Sequence, residues 1–171
     1  MELRRTGRLE ARVLANLVLE QGVEGGHDPN VTQVQFPGAD TLIPAATFSR
    51  CLAQKLLRYS NIRSGGRINT RWTDLQDFLL AANSPPAGKL HGPSLLEDVK
   101  REFAVRRRSL PSQLPRPPLE WLDFWDTATF EGDLPFGDLQ DAVRLVDRFW
   151  TPILQGATVP HVWNPSIWTW N

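Results

Sequence analysis

The sequence predicts an α+β protein in which a short N-terminal β segment precedes a mainly helical domain. Residues 32–36 alternate between apolar and polar side chains, as a half-buried strand does, and Pro37 and Gly38 end the run. From Thr47 onward, apolar residues instead recur every three or four positions, which is the spacing of a helix. The 171 residues can bury a sizeable core, and a hydrophobic fraction of 41% is that of an ordinary globular protein.

The composition limits the kinds of partner that the whole chain can attract. Nineteen basic residues balance nineteen acidic ones, so contact with nucleic acid would need a local basic patch. A single cysteine, Cys51, excludes an internal disulfide and is typical of a reducing compartment. No apolar run approaches the roughly 20 residues that a membrane-spanning helix needs. We therefore expect a cytoplasmic protein with no membrane partner.

Residues 1–44 form the predicted β segment. Residues 9–20 alternate as a strand does, although their alanine, leucine, glutamate and arginine content also suits a helix. Glycines between Gly22 and Gly26, followed by Asp28 and Pro29, predict a turn before the strand at 32–36. If residues 9–20 are extended, the two strands could pair in a short sheet.

The remainder of the chain is predicted to be helical. Expected helices cover about residues 47–59, 71–82, a stretch opening at Ser94, 119–130 and 137–154. Ser94 and Glu97 have the spacing of a capping box, which predicts the start of the third helix. A linker at 83–88 suggests two helical parts, residues 45–83 and 84–155. The tail, residues 156–171, shows no clear period and is predicted to be irregular.

Ionisable residues fall on the apolar faces of two neighbouring helices. Lys55 lies near the middle of a stripe formed by Phe48, Cys51, Leu52, Leu56 and Tyr59. A lysine there either extends its amine into solvent or points it into a cavity that holds an anion. On the next helix, Arg71 lies within the apolar face and Asp74 at its margin, whereas Asp77 is predicted to point away. An ordinary Arg71–Asp74 surface pair is one interpretation, and a polar site shared by both helices is the other.

Two motifs at these positions carry a family resemblance. Residues 53–56 read Ala-Gln-Lys-Leu, and residues 69–78 read Asn-Thr-Arg-Trp-Thr-Asp-Leu-Gln-Asp-Phe. Their order and spacing resemble the AbiEii/AbiGii toxin family of nucleotidyltransferases, which act in phage defence and toxin–antitoxin systems. Later elements of that family are similar to Phe103–Arg106, Leu110 with Pro111, Trp121–Phe124 and Pro152. The likeness covers about residues 40–155.

The resemblance implies roles for particular residues. Lys55 would reach a nucleoside triphosphate, Asp74 would complete the catalytic site, and Arg71 would orient Asp74 or contact a phosphate. Glu20 is the candidate for a metal-binding carboxylate on the strand that the family carries before a glycine turn. Residues 1–44 would then be the remnant of a nucleotidyltransferase domain that uses Mg²⁺ and a nucleoside triphosphate, with RNA or protein as the acceptor.

Departures from the family pattern bear on catalysis. Gln54 stands where the family has glutamate, and Thr73 stands where it has lysine. No glycine-serine loop followed by an Asp-x-Asp pair occurs in the sequence, and such carboxylates hold the catalytic metals. Whether the chain is an enzyme is therefore left open. We expect a truncated toxin that is inactive alone and that binds neither Mg²⁺ nor a nucleoside triphosphate tightly. A missing N-terminal half encoded upstream and an antitoxin are the partners left open.

Two other functions remain open. The chain could be a non-catalytic helical module that binds a protein partner. It could also bind RNA through Arg106, Arg107 and Arg108, although arginines at a helix end also interact favourably with the helix dipole. The dipole interpretation is favoured over the RNA interpretation.

Overall fold

The computed structural model describes eight stretches of the chain. Its backbone covers residues 2–5, 8–12, 31–35, 42–61, 71–85, 90–125, 137–156 and 162–171, with side chains described within these stretches from residue 45 onward except at 124. The chain divides into two compact units, residues 1–47 and residues 48–171. The second boundary predicted from the sequence, near residue 84, does not divide the second unit.

The described residues of the first unit form two antiparallel pairs of strands. Strand β1 (Glu2–Arg5) pairs with β2 (Arg8–Arg12), and β3 (Val31–Gln35) pairs with β4 (Leu42–Ala46). The strand predicted at 32–36 is confirmed as β3. Its partner β4 was not predicted, because Pro44 interrupts a run that lacks alternation. Of the ambiguous stretch 9–20, residues 9–12 are extended and 13–20 lie outside the described residues.

The second unit contains five described helices and a small hairpin. In chain order these are α1 (Phe48–Tyr59), α2 (Trp72–Asn83), α3 (Gly92–Val105), α4 (Trp121–Trp125), α5 (Leu139–Gln155), β5 (Trp163–Asn164) and β6 (Thr169–Trp170). Each predicted helix is present, although the fourth, expected over residues 119–130, is described only over Trp121–Trp125, because residues 126–130 lie outside the described part of the chain. The α+β class is confirmed. Within the described stretches, none of these helices is long and apolar enough to cross a membrane.

The helices bury one face each around a shared core. In α1 the predicted stripe buries Leu52, Leu56 and Tyr59, and this helix packs against α3 and α2. Helix α2 buries Phe78 and Leu79 and packs against α5. Positions three and four residues apart lie on one side of a helix, so the apolar spacing determines which face turns inward.

The start of α3 differs from the prediction. His91, not Ser94, is the N-cap residue, and Pro93 lies in the first turn. Proline is well suited there because it lacks the N–H that would have no partner inside the helix. The backbone N–H of Leu95 donates to the carbonyl of His91 at 3.0 Å, and the Ser94 hydroxyl lies 3.0 Å from His91 Nδ1. The helix therefore begins two residues before the serine that marks a capping box.

The prediction of an irregular tail was wrong, because β5 and β6 form an antiparallel hairpin. Two tryptophans attach this hairpin to the helices. The indole N–H of Trp163 donates to the carbonyl of Ala82 in α2 at 2.7 Å, and that of Trp170 donates to the carbonyl of Phe149 in α5 at 2.8 Å. Strands of two residues are too short to show a sequence period, so their order comes from these tertiary contacts.

Aromatic rings fill the core between α1, α2, α5 and the hairpin. Phe78 lies edge-to-face with Trp150 and with Tyr59, at centroid distances of 5.2 Å and 5.7 Å. Phe149 meets Trp163 in the same way at 4.9 Å. These geometries are the favoured ones for aromatic pairs and add to the stabilisation that comes from burial.

Candidate functional site

Lys55 and two carboxylates of α2 meet where α1 and α2 pack together. The Lys55 side chain is 28% exposed, and its amine forms an ion pair with Asp77. Its Nζ also lies 3.9 Å from Oδ1 of Asp74. A lysine in the middle of an apolar stripe thus turns its amine towards the acidic residues of the next helix. The structure brings together the cation and the anion that the sequence singled out.

Asp74 is the most buried ionisable group of this cluster. It lies in the first turn of α2, and its side chain is 3% exposed. Its Oδ1 accepts a hydrogen bond from the Arg58 guanidinium at 2.9 Å, whereas its Oδ2 is buried and has no hydrogen-bond partner among the described residues. Burial raises the pKa of the Asp74 carboxyl, and the positive charges of Arg58, Lys55 and Arg71 oppose that rise. The sequence correctly placed Asp74 towards the interior.

The prediction for Asp77 was wrong. This residue was expected to point away, yet its carboxylate contacts the Lys55 amine. The flexible four-carbon stem of lysine lets the amine reach a carboxylate at the edge of the neighbouring helix, one turn beyond Asp74. Asp77 therefore belongs to the cluster, although its side chain is 39% exposed.

Arg58 was not singled out from the sequence. It follows Lys55 by three residues on α1, so both side chains project from adjacent turns towards α2. That spacing was the signal that could have identified it. Arg71 lies at the N-cap of α2, where its carbonyl accepts the backbone N–H of Asp74 at 2.9 Å. Glu20, the candidate metal ligand, lies outside the described residues.

We call Lys55, Arg58, Arg71, Asp74 and Asp77 the α1–α2 ionic cluster. Its three basic and two acidic side chains give a formal charge of +1. Partial burial strengthens its electrostatic interactions relative to those of charges in water. The cluster has the chemistry to receive an anion, provided that the anion competes with the carboxylates for the basic groups.

Mg²⁺, which the family resemblance implies, does not fit the described part of this cluster. Magnesium requires oxygen ligands in near-octahedral geometry. Asp74 is already held by Arg58 and lies beside Lys55, and both cations would repel a metal ion. Within the described stretches, no group of three or more histidine, cysteine, aspartate or glutamate residues is placed to hold a metal. No chemical role of the α1–α2 ionic cluster is therefore assigned to a metal ion.

The raised pKa of Asp74 leads to a prediction about stability and pH. The ordinary pKa is 3.8, and a higher folded-state pKa means that the folded state holds the proton more tightly than the unfolded chain does. The protonated Asp74 carboxyl therefore adds to the free energy of unfolding. This contribution is complete below the pKa of Asp74 in the unfolded chain and is lost as the pH rises through its pKa in the folded state. The free energy of unfolding of Asp74→Asn, minus that of the wild type, should therefore increase as the pH rises above the ordinary aspartate pKa of 3.8.

Urea unfolding followed by tryptophan fluorescence at each pH measures this difference. Thr73→Ala, at an exposed neighbouring position on α2, is the matched control and should differ from the wild type by the same amount at every pH. A difference for Asp74→Asn that is constant or decreases with pH would contradict the role assigned to burial.

A second set of polar residues, missed at the sequence level, joins α1 to α3. Glu102 of α3 is 6% exposed and accepts hydrogen bonds from Arg50 Nε at 3.0 Å and Gln54 Nε2 at 3.3 Å. Asp98, 5% exposed and one turn earlier, accepts from the Ser49 hydroxyl at 2.5 Å. We call these five residues the α1–α3 ionic cluster. The signal was that Asp98 and Glu102 lie four residues apart on the face that also carries Leu95 and Val99.

The α1–α3 ionic cluster gives a structural reason for Gln54. The amide of Gln54 donates to Glu102, whereas a glutamate at that position would place two carboxylates side by side in a poorly solvated setting. The glutamine at position 54 thus agrees with the packing of α1 against α3 in this chain. Asp98 and Glu102 of α3 accept hydrogen bonds from side chains of α1, so the cluster joins the two helices.

The other candidates are less suited to chemistry. Burial raises the pKa of the half-buried Cys51 thiol, which lowers the fraction of reactive thiolate. Arg106, Arg107 and Arg108 are all exposed at the end of α3, and Arg108 donates a hydrogen bond to Asn61 at 3.1 Å. Their exposure is compatible with both the dipole and the RNA interpretations, and RNA binding stays a prediction.

Comparison of the chain with protein-family models, with curated proteins and with solved structures gives no match. The function proposed below therefore rests on the residues of the site, on their geometry and on the resemblance of the sequence motifs.

Proposed function

We propose that this chain provides the nucleotide-binding helical part of an AbiEii-like nucleotidyltransferase toxin. One observation carries the proposal: Lys55 of α1 and Asp74 of α2 lie side by side, with Nζ and Oδ1 3.9 Å apart. These two residues occupy the positions at which the resembling family has its nucleotide-binding lysine and its catalytic aspartate. Support comes from their convergence between two helices whose sequence order and spacing follow the family motif.

The electrostatics of the α1–α2 ionic cluster favour a phosphate ligand. The Lys55–Asp77 pair is partly exposed, so it contributes little to stability and can be exchanged for a pair with a phosphate. The Arg58 side chain is 46% exposed and can turn its remaining N–H groups towards the same ligand. The carboxylate of Asp74 is held between these cations and would keep both of them directed towards the bound phosphate.

Binding without transfer is the proposed activity of this chain alone. The sequence contains no Asp-x-Asp pair, and nucleotidyl transfer relies on such carboxylates to hold the metals that activate the attacking oxygen. When metal and acceptor are supplied by other residues, Lys55 and Arg58 would neutralise phosphate charge, which is the main contribution of protein side chains in phosphoryl-transfer chemistry.

Equilibrium dialysis with radiolabelled ATP, GTP, CTP and UTP tests the proposal. We expect saturable binding of at least one nucleotide by the wild type, and about tenfold or greater weakening in Lys55→Ala, because a charge-assisted phosphate contact is lost. Lys100→Ala is the matched control, since Lys100 is an exposed lysine on α3 and its removal should leave binding unchanged. Absence of binding at millimolar nucleotide, or equal binding by Lys55→Ala, contradicts the proposal.

The absence of transfer is checked separately with α-labelled nucleotides, Mg²⁺ and either total RNA or total protein as acceptor. No incorporation is expected from the purified chain. Incorporation that disappears in Lys55→Ala would show that the chain is a complete catalyst and would overturn this part of the proposal.

The alternative function, a non-catalytic module that binds a protein partner, has an observation of its own. An apolar groove lies between α4, α5 and the proline-rich segment before α4, and it shares no residue with the α1–α2 ionic cluster. The two functions are therefore compatible with one another.

A further inference from the structure

A groove of about 470 Å³ is open on the surface between residues 116–119, α4 and α5. Six of its nine lining residues are proline, leucine or valine: Pro117, Pro118, Leu119, Leu122, Leu139 and Val143. Leu139 and Val143 form a buried floor, whereas Leu119 and Leu122 are 82% and 43% exposed. Exposed large apolar side chains gathered around a groove are typical of a site for another molecule.

The charged residues that line this groove have the same sign. They are Arg116 and Arg144, and both side chains are 75% exposed. Arg116 pairs with Asp147 and Arg144 pairs with Asp141, but neither aspartate lines the groove. Such exposed pairs contribute little to stability, so the guanidinium groups can pair with carboxylates from a ligand instead. The groove is therefore complementary to a molecule that is both apolar and acidic.

We propose that this groove docks an amphipathic, acidic segment of a partner protein. Leucine-like side chains of that segment would enter between Leu119 and Leu122 above Val143, and its carboxylates would pair with Arg116 and Arg144. Apolar anchors surrounded by arginine-containing polar contacts are the usual composition of protein interfaces. Nucleic acid is disfavoured because its backbone has no apolar surface to cover the leucines and prolines.

Fluorescence anisotropy with synthetic peptides tests the proposal on the full chain. The probe is a labelled amphipathic peptide with leucines at positions i, i+3, i+4 and i+7 and glutamates at the other positions, which is the pattern of helices that dock in grooves. A peptide with the same leucines but with lysines in place of the glutamates is the control. We expect saturable binding of the acidic peptide and none of the basic one.

Variants locate the binding. Leu119→Ser, at a position that is 82% exposed and so unimportant for folding, and Leu122→Ser should each weaken the acidic peptide by about tenfold. Leu80→Ser, at an exposed leucine of α2 outside the groove, is the matched control and should have no effect. The double variant Arg116→Glu with Arg144→Glu should no longer bind the acidic peptide and should bind the basic peptide instead. General unfolding could not produce such a reversal of preference.

Three results would overturn the proposal. The first is no binding of the acidic peptide at millimolar concentration. The second is that Leu80→Ser weakens binding of the acidic peptide as much as Leu119→Ser does. The third is a concentration-dependent dimer in sedimentation experiments that Leu119→Ser abolishes, because the occupant would then be a second copy of this chain.

Discussion

Replacing Phe78 by alanine should lower the free energy of unfolding of the helical unit by about 3–5 kcal/mol, the range for truncation of a buried phenylalanine. Phe78 is fully buried in α2 and lies edge-to-face with Tyr59 of α1 and Trp150 of α5. Its removal leaves a cavity where three helices meet and also removes both ring contacts. Because small proteins are stable by only about 5–15 kcal/mol, the variant should lose a large share of its stability.

Urea unfolding followed by tryptophan fluorescence measures the effect of Phe78→Ala. All seven tryptophans lie after residue 47, so the signal reports on the second unit alone. Leu80→Ala is the matched control because Leu80 lies on the same helix but is 45% exposed, and it should cost less than about 1 kcal/mol. Similar losses in the two variants would show that Phe78 does not occupy the core.

Glu102→Ala should lower the free energy of unfolding by a similar amount, about 3–5 kcal/mol, although Glu102 is a charged residue. The substitution takes the carboxylate away from the Arg50 side chain, which is only 14% exposed, and away from the Gln54 amide. A poorly solvated guanidinium that loses one carboxylate partner keeps its desolvation penalty and loses the attraction of that partner. The pairing between α1 and α3 depends on this interaction as well as on apolar contacts.

Two further variants separate charge pairing from packing at Glu102. Arg101→Ala removes an exposed arginine whose pair with Asp98 is long, at 3.8 Å, and should cost less than about 1 kcal/mol. The double variant Arg50→Met with Glu102→Leu replaces both charges by apolar side chains and should recover most of the stability lost in Glu102→Ala. If the double variant is less stable than Glu102→Ala, the loss has a cause other than the ion pair.

The helical part of the fold could be predicted because its local and tertiary signals agree. In α1 the spacing of Leu52, Leu56 and Tyr59 specifies a helix and also the face that packs against other helices. The β5–β6 hairpin could not be found in this way. Its strands are two residues long, and its order depends on indole hydrogen bonds to Ala82 and Phe149, which are distant in sequence.

The candidate site was predicted in part for the same reason. Helical spacing placed Lys55 and Asp74 on facing sides of α1 and α2. It gave no information on how far a long side chain reaches, and so it misplaced Asp77 and overlooked Arg58. The partners of Glu102 were also missed, because pairing between α1 and α3 depends on how helices separated by many residues come together.

Side-chain NMR of lysine during titration with ATP tests the central claim most directly, namely that Lys55 of the α1–α2 ionic cluster contacts a nucleotide. The chain has three lysines, Lys55, Lys89 and Lys100, so labelled lysine gives three signals, and Lys55→Arg assigns the one of interest. The account predicts that the Lys55 signal shifts saturably with ATP while the Lys100 signal stays almost constant. ATP binding that leaves the Lys55 signal unchanged, or that shifts all three signals in parallel, would contradict it.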